Sequence, residues 1–284
     1  MLQSRPMQTQ TTIVTARLTP AGLIPAPYIA ESLNDAARYE PTGVYTVTRT
    51  YHRTFVIEFD AHLDRLEQSA RLIGIDHIAD RLAIRAALRE LIDLAGYPET
   101  RFRITVPAHA PDEVYFALEP LRPVPDYVRR AGVQVQIFPV RRPNPTAKST
   151  TWMQQRAALQ DQMAPETYEG LLTGDAGELL EGFGSNFYAI MDGTLFTAEE
   201  GILHGISRRI VLEIAPEILP VELKPVHKHD IPRLAEAFLT SSSRGVIPIV
   251  RIDSMPVGTG SPGPMTRRIA AAYDNWVENH LEPL

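Results

Sequence analysis

The stretch ELLEGFGSNFYAIMDGTLFT, residues 178–197, carries the reading of the fold. Two apolar runs, ELLEG and SNFYAIM, are followed by Asp192-Gly193 and a third run, TLFT. Asp-Gly between alternating runs is a strong hairpin signal, because both turn positions need positive φ. One residue does not fit a plain meander. Glu181 closes an apolar strand beside Gly182, a residue that permits a close backbone approach. A solvent-facing glutamate needs neither neighbour. The pattern therefore raises the question of what Glu181 faces.

On either side, the second half of the chain stays strand-rich. EGLLT and a GDAG turn precede the stretch. A helix, ISRRIVLEIA, follows Gly205 and is stopped by Pro216. Asp230 is placed to cap a helix through IPRLAEAF. TSSSRG (240–245) reads as a polar turn before the strand VIPIVRI, and a last helix is expected over 264–281. The first half mixes helices and strands. YTVTRTYHRTFVIEF (45–59) reads as a hairpin turning at His52-Arg53. Asp60 is placed to cap the helix AHLDRLEQSARLIG. A second helix is expected from Asp80 to Ala95, with Leu82, Leu88, Leu91, Ile92 and Ala95 as its apolar stripe. Strands recur at 101–106, 113–121 and 133–140, and a short helix near Trp152 to Leu159 follows a proline-rich segment. These elements predict a two-domain α+β or α/β fold with a mostly antiparallel first sheet. The expected division is an N-terminal domain over 1–140, a linker over 141–149 and a C-terminal domain over 150–284.

The 284 residues, 44% hydrophobic, suffice for a large core. The net charge of −6, without a basic stripe, points away from nucleic acid. With no cysteine, disulfides, thiolate metal sites and cysteine nucleophiles are excluded. No apolar run approaches the roughly 20 residues needed to span a bilayer, and MLQSRPMQTQTTIV lacks a signal-peptide core. The expected setting is cytoplasmic, with no membrane partner. Of 28 lysines and arginines only Lys148, Lys224 and Lys228 are lysine, so chemistry needing a primary amine has few candidates.

Several places favour an anion. Ser207 opens a helix directly after Gly205, where first-turn N–H groups lack partners. An ordinary N-cap serine is the plain alternative. TSSSRG offers hydroxyls and amides that can cradle phosphate, or it is only a polar loop. Arg65 lies within a helix beside the core position Leu66, and its planar fork suits phosphate unless it serves surface pairing. Lys148, beside the strand-rich half, is a better candidate for an amine nucleophile than Lys224 or Lys228 in the charged stretch LKPVHKHD. A phosphate, a carbonyl that takes an amine and a basic ring nitrogen that wants a carboxylate together describe pyridoxal 5′-phosphate (PLP). Glu181 is then the partner of the pyridine nitrogen.

The order of these motifs is familiar. GVYTVTRTY (43–51), HLDRLEQSA (62–70), the lysine of TAKS (146–149), LLEGFGSNFY (179–188), GILHGISRRIVLEIA (201–215) and EAFLTSSSRGVIPI (236–249) follow one another. The chain thereby resembles the class IV aminotransferases, PLP enzymes of fold type IV with the D-amino acid aminotransferase-like fold. That family includes branched-chain and D-amino acid aminotransferases, R-selective amine transaminases and aminodeoxychorismate lyases. The resemblance implies Lys148 as the Schiff-base lysine and Glu181 as the ring-nitrogen partner. It implies Arg65, the amides of Ile206 and Ser207, and the Ser207 and Ser242 hydroxyls as phosphate contacts. Leu203 packs on the ring. Tyr45, Trp152 and Ser243 are expected at the substrate. A homodimer acting on amino and 2-oxo acids is implied, with a hydrophobic or branched-chain substrate favoured. A lyase releasing pyruvate, or a D-amino acid or R-amine transaminase, is the alternative.

The chain also departs from its relatives. Tyr45-Thr46-Val47 stands where branched-chain enzymes carry phenylalanine-glutamate-glycine, and Met153 stands where they place a tyrosine. TVPAHAPDE (105–113) has His109 but lacks the arginine of the D-specific enzymes. Arg103, with Arg244 as a second candidate, is therefore expected to meet the substrate carboxylate, unless it forms a structural ion pair.

Overall fold

The structure is a computed structural model that describes residues 13–284. Most of the N-terminal stretch read for a signal peptide, through residue 12, lies outside the described residues. Two sheets organise the chain. The first has five antiparallel strands in the spatial order Gly22–Pro25, Val14–Thr19, Val114–Pro120, Thr100–Pro107 and Gly43–Arg49. Helices Phe59–Leu72 and Arg81–Ala95 pack against it. They bury Leu63, Leu66, Leu88 and Leu91 with Phe102, Ile104 and Phe116 of the sheet. Full burial of each such side chain stabilises by roughly 1.5–3 kcal/mol.

Several local expectations change here. Gly43–Arg49 does not fold back as a hairpin. It pairs with Thr100–Pro107, from Gly43 opposite Pro107 to Arg49 opposite Arg101. Its residues are buried on both faces over Gly43 to Thr46, which requires covering layers rather than a solvent-facing hairpin. The turn itself exists, with φ of 45° at His52 and 72° at Arg53. Phe55–Val56 then pairs with Glu282–Pro283 at the far end of the chain. Asp60 is not the helix cap. Glu58 holds that position at φ 51°, and Asp60 pairs with Arg85 at 2.9 Å. Asp80 does cap the next helix, accepting from the amides of Leu82 and Ala83. Leu82 is 75% exposed, however, and the buried stripe runs through Ile84, Leu88, Leu91 and Ile92 at helical spacing.

The second sheet contains Val133–Phe138. Sheet membership thus changes between Pro120 and Val133, ahead of the division expected at residue 140. Val133–Phe138 runs parallel to both Gly245–Ile252 and Glu169–Thr173. From there the path continues through Leu179–Gly182, and from the other side through Glu236–Ser241 and Asn186–Met191. Leu179–Gly182 also meets Asn186–Met191, with Glu181 opposite Asn186. The strand path therefore closes on itself at Glu181. The hairpin Asn186–Met191 to Thr194–Phe196 turns at Asp192 and Gly193, φ 51° and 78°. IPRLAEAF is not a helix. Asp230 sits inside a short 3-10 helix, Lys228–Arg233, and accepts from the His227 amide at 3.1 Å. Glu236–Ser241 is a central strand buried over its first five residues. Helices Ile206–Ile214 and Pro264–Asn279 cover the sheet. No helix among the described residues is long and apolar enough to cross a membrane.

Candidate active site

The expected linker is clamped to the first sheet. The Tyr45 amide donates to the Lys148 carbonyl at 3.0 Å, Gly43 N donates to Thr150 Oγ1 at 2.9 Å, and Lys148 N donates to Ser69 Oγ at 3.0 Å. These bonds fix the backbone of Lys148 on the wall of a cleft between the two sheets. The cleft encloses about 630 Å³. Tyr45 and Arg65 line it from the first lobe, and Lys148, Trp152 and Glu181 line it from the centre. Leu203, Ile206, Ser207, Ser242 and Ser243 complete it from the second lobe. Ten of the expected residues therefore converge, nine from the six motifs and Trp152 from the helix after Lys148.

Glu181 answers the question posed by its sequence. It is 2% exposed, and its Oε2 accepts from the Leu203 amide at 3.0 Å. Asn186 Nδ2 donates to the Leu203 carbonyl at 2.7 Å, so the residue facing Glu181 across the sheet closure also sets the loop that binds it. Oε1 of Glu181 is buried without a hydrogen-bond partner among the described residues. The guanidinium of Arg142 stands 3.7 Å away, too far for a hydrogen bond. Burial raises the Glu181 carboxyl to about 7, against the opposing pull of Arg142, the Leu203 amide and Lys148.

Gly182 has a different task. A Cβ there would lie 2.3 Å from Ser185 Oγ and 2.8 Å from Glu169 Oε1. The glycine leaves room for a neighbouring polar cluster rather than for a ligand. In that cluster Glu169 accepts from Gly184 N at 2.8 Å, Ser185 Oγ at 2.9 Å and Arg244 Nη1 at 2.6 Å. Burial alone would raise Glu169, but Arg244 and these donors hold its carboxyl below the ordinary value.

Lys148 Nζ lies over the Tyr45 ring, 4.9 Å from its centre. Burial, then the charges of Arg65, Arg142 and Arg156, hold its amine well below the ordinary lysine value, against Glu181. Arg65 is 9% exposed and not a surface charge. Its Nη2 donates to Thr46 Oγ1 at 3.3 Å and its Nη1 to the His204 carbonyl at 3.5 Å, while its Nε is buried without a partner among the described residues. It forms no ion pair with a described carboxylate. Burial and Arg142 push it down to about 10. His62, held neutral by burial and then by Arg65, places Nδ1 2.7 Å from Thr46 Oγ1. The Thr46 hydroxyl can thus donate to His62 while accepting from Arg65, which fixes the guanidinium from behind.

Opposite Arg65, helix Ile206–Ile214 begins at Gly205 with no side-chain cap on its first-turn amides. Its Ser207 hydroxyl pairs with Tyr273 at 2.8 Å. The turn 241–244 joins this rim through Ser241, Ser242 and Ser243.

Arg103 and Met153, both singled out in the sequence, lie outside the cleft. Arg103 is 2% exposed and does not line the cleft. Its Nε and Nη2 grip both oxygens of Glu40 at 2.7 and 2.6 Å, and Nη1 donates to the Leu33 carbonyl at 2.8 Å. The structural ion pair displaces the expected substrate contact. Met153 packs its sulfur 3.8 Å from the same guanidinium, away from the cleft. Arg142 was missed altogether. Its neighbour Arg141 is exposed and pairs with Asp175, while Arg142 is 6% exposed, donates to the Ala147 carbonyl at 2.8 Å and faces Glu181. Glu169 and Asn186 were missed as well, since a strand pattern does not reveal which polar residue turns inward.

Similarity to known proteins agrees with this geometry. The family description "Amino-transferase class IV" matches residues 43–252. The chain belongs to the class IV aminotransferases, and is a transaminase. It is 28% identical over 260 residues to the D-alanine aminotransferase of Bacillus licheniformis, covering 82% of this chain and 87% of that one. It is 25% identical over 267 residues to the D-alanine aminotransferase of Staphylococcus aureus strain COL, covering 88% and 93%. Its fold matches that of the T.th. branched-chain amino acid aminotransferase with pyridoxamine 5′-phosphate, at a TM-score of 0.78 and 22% identity over 94% of this chain and 98% of that one. The class IV fold, of fold type IV, is thus the architecture in which these residues converge.

Proposed function

We propose that this transaminase uses PLP to move an amino group between an amino acid and a 2-oxo acid, with Lys148 as its catalytic base. The single observation that carries this reading is the buried Oε1 of Glu181, without a partner among the described residues, in the same cleft as a lysine whose amine is held low. The residues fit the cofactor. Glu181 Oε1 suits a ring nitrogen that shares a proton. Arg65, the amides of Ile206 and Ser207, and the hydroxyls near Ser242 suit a phosphate, and Leu203 suits the ring face. The bound cofactor supplies an electron sink for the carbon bearing the amino group.

Lys148 Nζ, its amine held well below the ordinary lysine value by burial, accepts the proton of the substrate α carbon and would pass it on toward the cofactor rather than back to that carbon. Glu181 holds the shared proton at Oε1, and Arg142 keeps that carboxylate from rising further. Tyr45, packed under Nζ, limits the directions the amine can take. Val47, Leu121, Val124, Trp152 and Phe183 line the substrate side, which suits a hydrophobic side chain. We also propose a homodimer. Ile29 and Tyr39, 76% and 54% exposed, flank Ser32 and Asn34 on the cleft wall, where a second copy would cover them.

The test is a panel of L- and D-amino acids with 2-oxoglutarate or pyruvate as acceptor, and aminodeoxychorismate assayed in parallel. Amino-group transfer from an amino acid is expected. Pyruvate release from aminodeoxychorismate, with transfer from no amine, defeats the reading. Light scattering should give twice the chain mass.

A further inference from the structure

The cleft holds more positive charge than its cofactor side uses. On the substrate side Arg101 is paired with Glu119 at 2.7 Å and Arg244 with Glu169 at 2.6 Å. Arg142 faces Glu181, and Arg103 lies outside the cleft on Glu40. Arg122 is exposed at the lip. Arg156 differs from all of these. It is half-buried, lines the cleft and forms no ion pair with a described carboxylate.

Local structure aims Arg156 inward. It lies one turn after Trp152 on helix Thr150–Gln160, so the two share a face. Trp152 Nε1 donates to the Phe183 carbonyl at 3.0 Å, and Arg156 Nη1 approaches the same oxygen at 3.4 Å. That long contact is the guanidinium's one hydrogen bond among the described residues, and it leaves most of its donors available. Gly184 makes the space. A Cβ built on it would lie 2.9 Å from Arg156 Nη1, so any side chain there would push the guanidinium away. The charge is also felt at the reaction centre, since it is one of those that lower Lys148.

We propose that Arg156, seated over Gly184, is the residue that binds the substrate carboxylate. This rests on the amino-acid reading of the function above. It assigns the role that Arg103 does not fill, from the helix that follows Lys148. A guanidinium with free parallel donors suits a planar carboxylate bidentately. Carboxylate arrival would neutralise a cation close to Lys148 Nζ, and the amine would then hold a proton more tightly. Binding of the correct acid and proton transfer at Nζ are thus linked through one side chain.

The experiment compares 4-methylvalerate with 4-methylvaleramide by calorimetry on the PLP-loaded protein. The two differ only in the charged end. Wild-type protein should bind the acid more tightly by roughly ten- to a hundredfold, the range for hydrogen bonds to a charged group. Arg156→Gln should lose that preference while keeping its affinity for the amide. Gly184→Ala should reduce the preference by displacing the guanidinium, which tests the same point without touching the arginine. The proposal is overturned if wild type shows no preference, if either variant keeps the full preference, or if acid and amide weaken together in Arg156→Gln. Amino transfer by wild type is scored separately. Its absence with every amino acid defeats the proposed function, whereas a carboxylate preference that survives Arg156→Gln defeats only this assignment.

Discussion

The glutamate–arginine encounters of Glu40 with Arg103 and of Glu181 with Arg142 are both buried, and they are built differently. In the first lobe, Glu40 receives both forks of Arg103 and the Thr105 hydroxyl at 2.6 Å, so its oxygens are satisfied by protein. In the cleft, Glu181 and Arg142 stop at 3.7 Å, and Glu181 Oε1, Arg142 Nε and Arg65 Nε have no hydrogen-bond partner among the described residues. Buried polar groups are ordinarily paired, so the first cluster reads as structure and the second as a receptor for something else. The residue types are the same. Only the completeness of their bonding separates scaffold from site.

The sharpest way to break this comparison is at its reactive member. Lys148→Ala should lower amino transfer by roughly 10²- to 10⁴-fold, the usual contribution of a positioned general base. Borohydride treatment of the PLP-loaded wild type should fix the label on Lys148, read by peptide mapping. A label on Lys224 or Lys228 would place the site elsewhere.

Next in size is the satisfied pair. Arg103→Met leaves Glu40 buried and uncompensated, and should destabilise by about 3–5 kcal/mol in urea unfolding. A variant that keeps its stability but loses substrate affinity would return Arg103 to the substrate.

Glu181→Gln should act in the opposite sense on stability. The wild-type carboxyl rises from 4.5 to about 7 on folding. The folded protein therefore binds the proton more tightly, and stability falls as pH rises from near 4.5 through about 7. The gap corresponds to about 3 kcal/mol. Cofactor-free Glu181→Gln should thus gain on wild type between pH 5 and pH 8. Its turnover should nonetheless drop roughly tenfold to a few hundredfold, as for a lost charge-assisted hydrogen bond. Equal pH profiles for the two proteins would show that Glu181 carries no raised pKa.

Much of the site was legible, because its members sit in short motifs with local signals. Gly205 before a helix, serines in a turn and a lone lysine after prolines each point to a chemistry, and their order pointed to the family. The first-lobe pairing was not legible. Gly43–Arg49 chooses a partner more than fifty residues away, and alternation within 45–59 cannot show that. EAF continued a plausible helix in IPRLAEAF, yet burial on both faces made Glu236–Ser241 a central strand. Arg141 and Arg142 are adjacent and identical in type, and only the fold turns one to solvent and the other to Glu181. Arg103 was the reverse case, since its partner Glu40 is 63 residues distant.

Arg65 gives the smallest effect and the cleanest contrast with Arg103. Both are buried, but Arg65 pairs with no carboxylate among the described residues, and burial pushes its guanidinium down to about 10. Its charge therefore opposes folding until an anion arrives. Arg65→Met should leave cofactor-free stability in phosphate-free buffer within about 1 kcal/mol of wild type, because a hydrophobic replacement removes an uncompensated charge. PLP affinity should weaken roughly tenfold, since the helix amides and serine hydroxyls remain. Added PLP stabilises by RT ln(1 + [L]/Kd), so at one saturating concentration the melting gain of the variant should trail wild type by about 1.4 kcal/mol. A cofactor-free loss as large as that of Arg103→Met would mean that Arg65 is scaffold, and that an unpaired buried cation does not mark the phosphate side of this cleft.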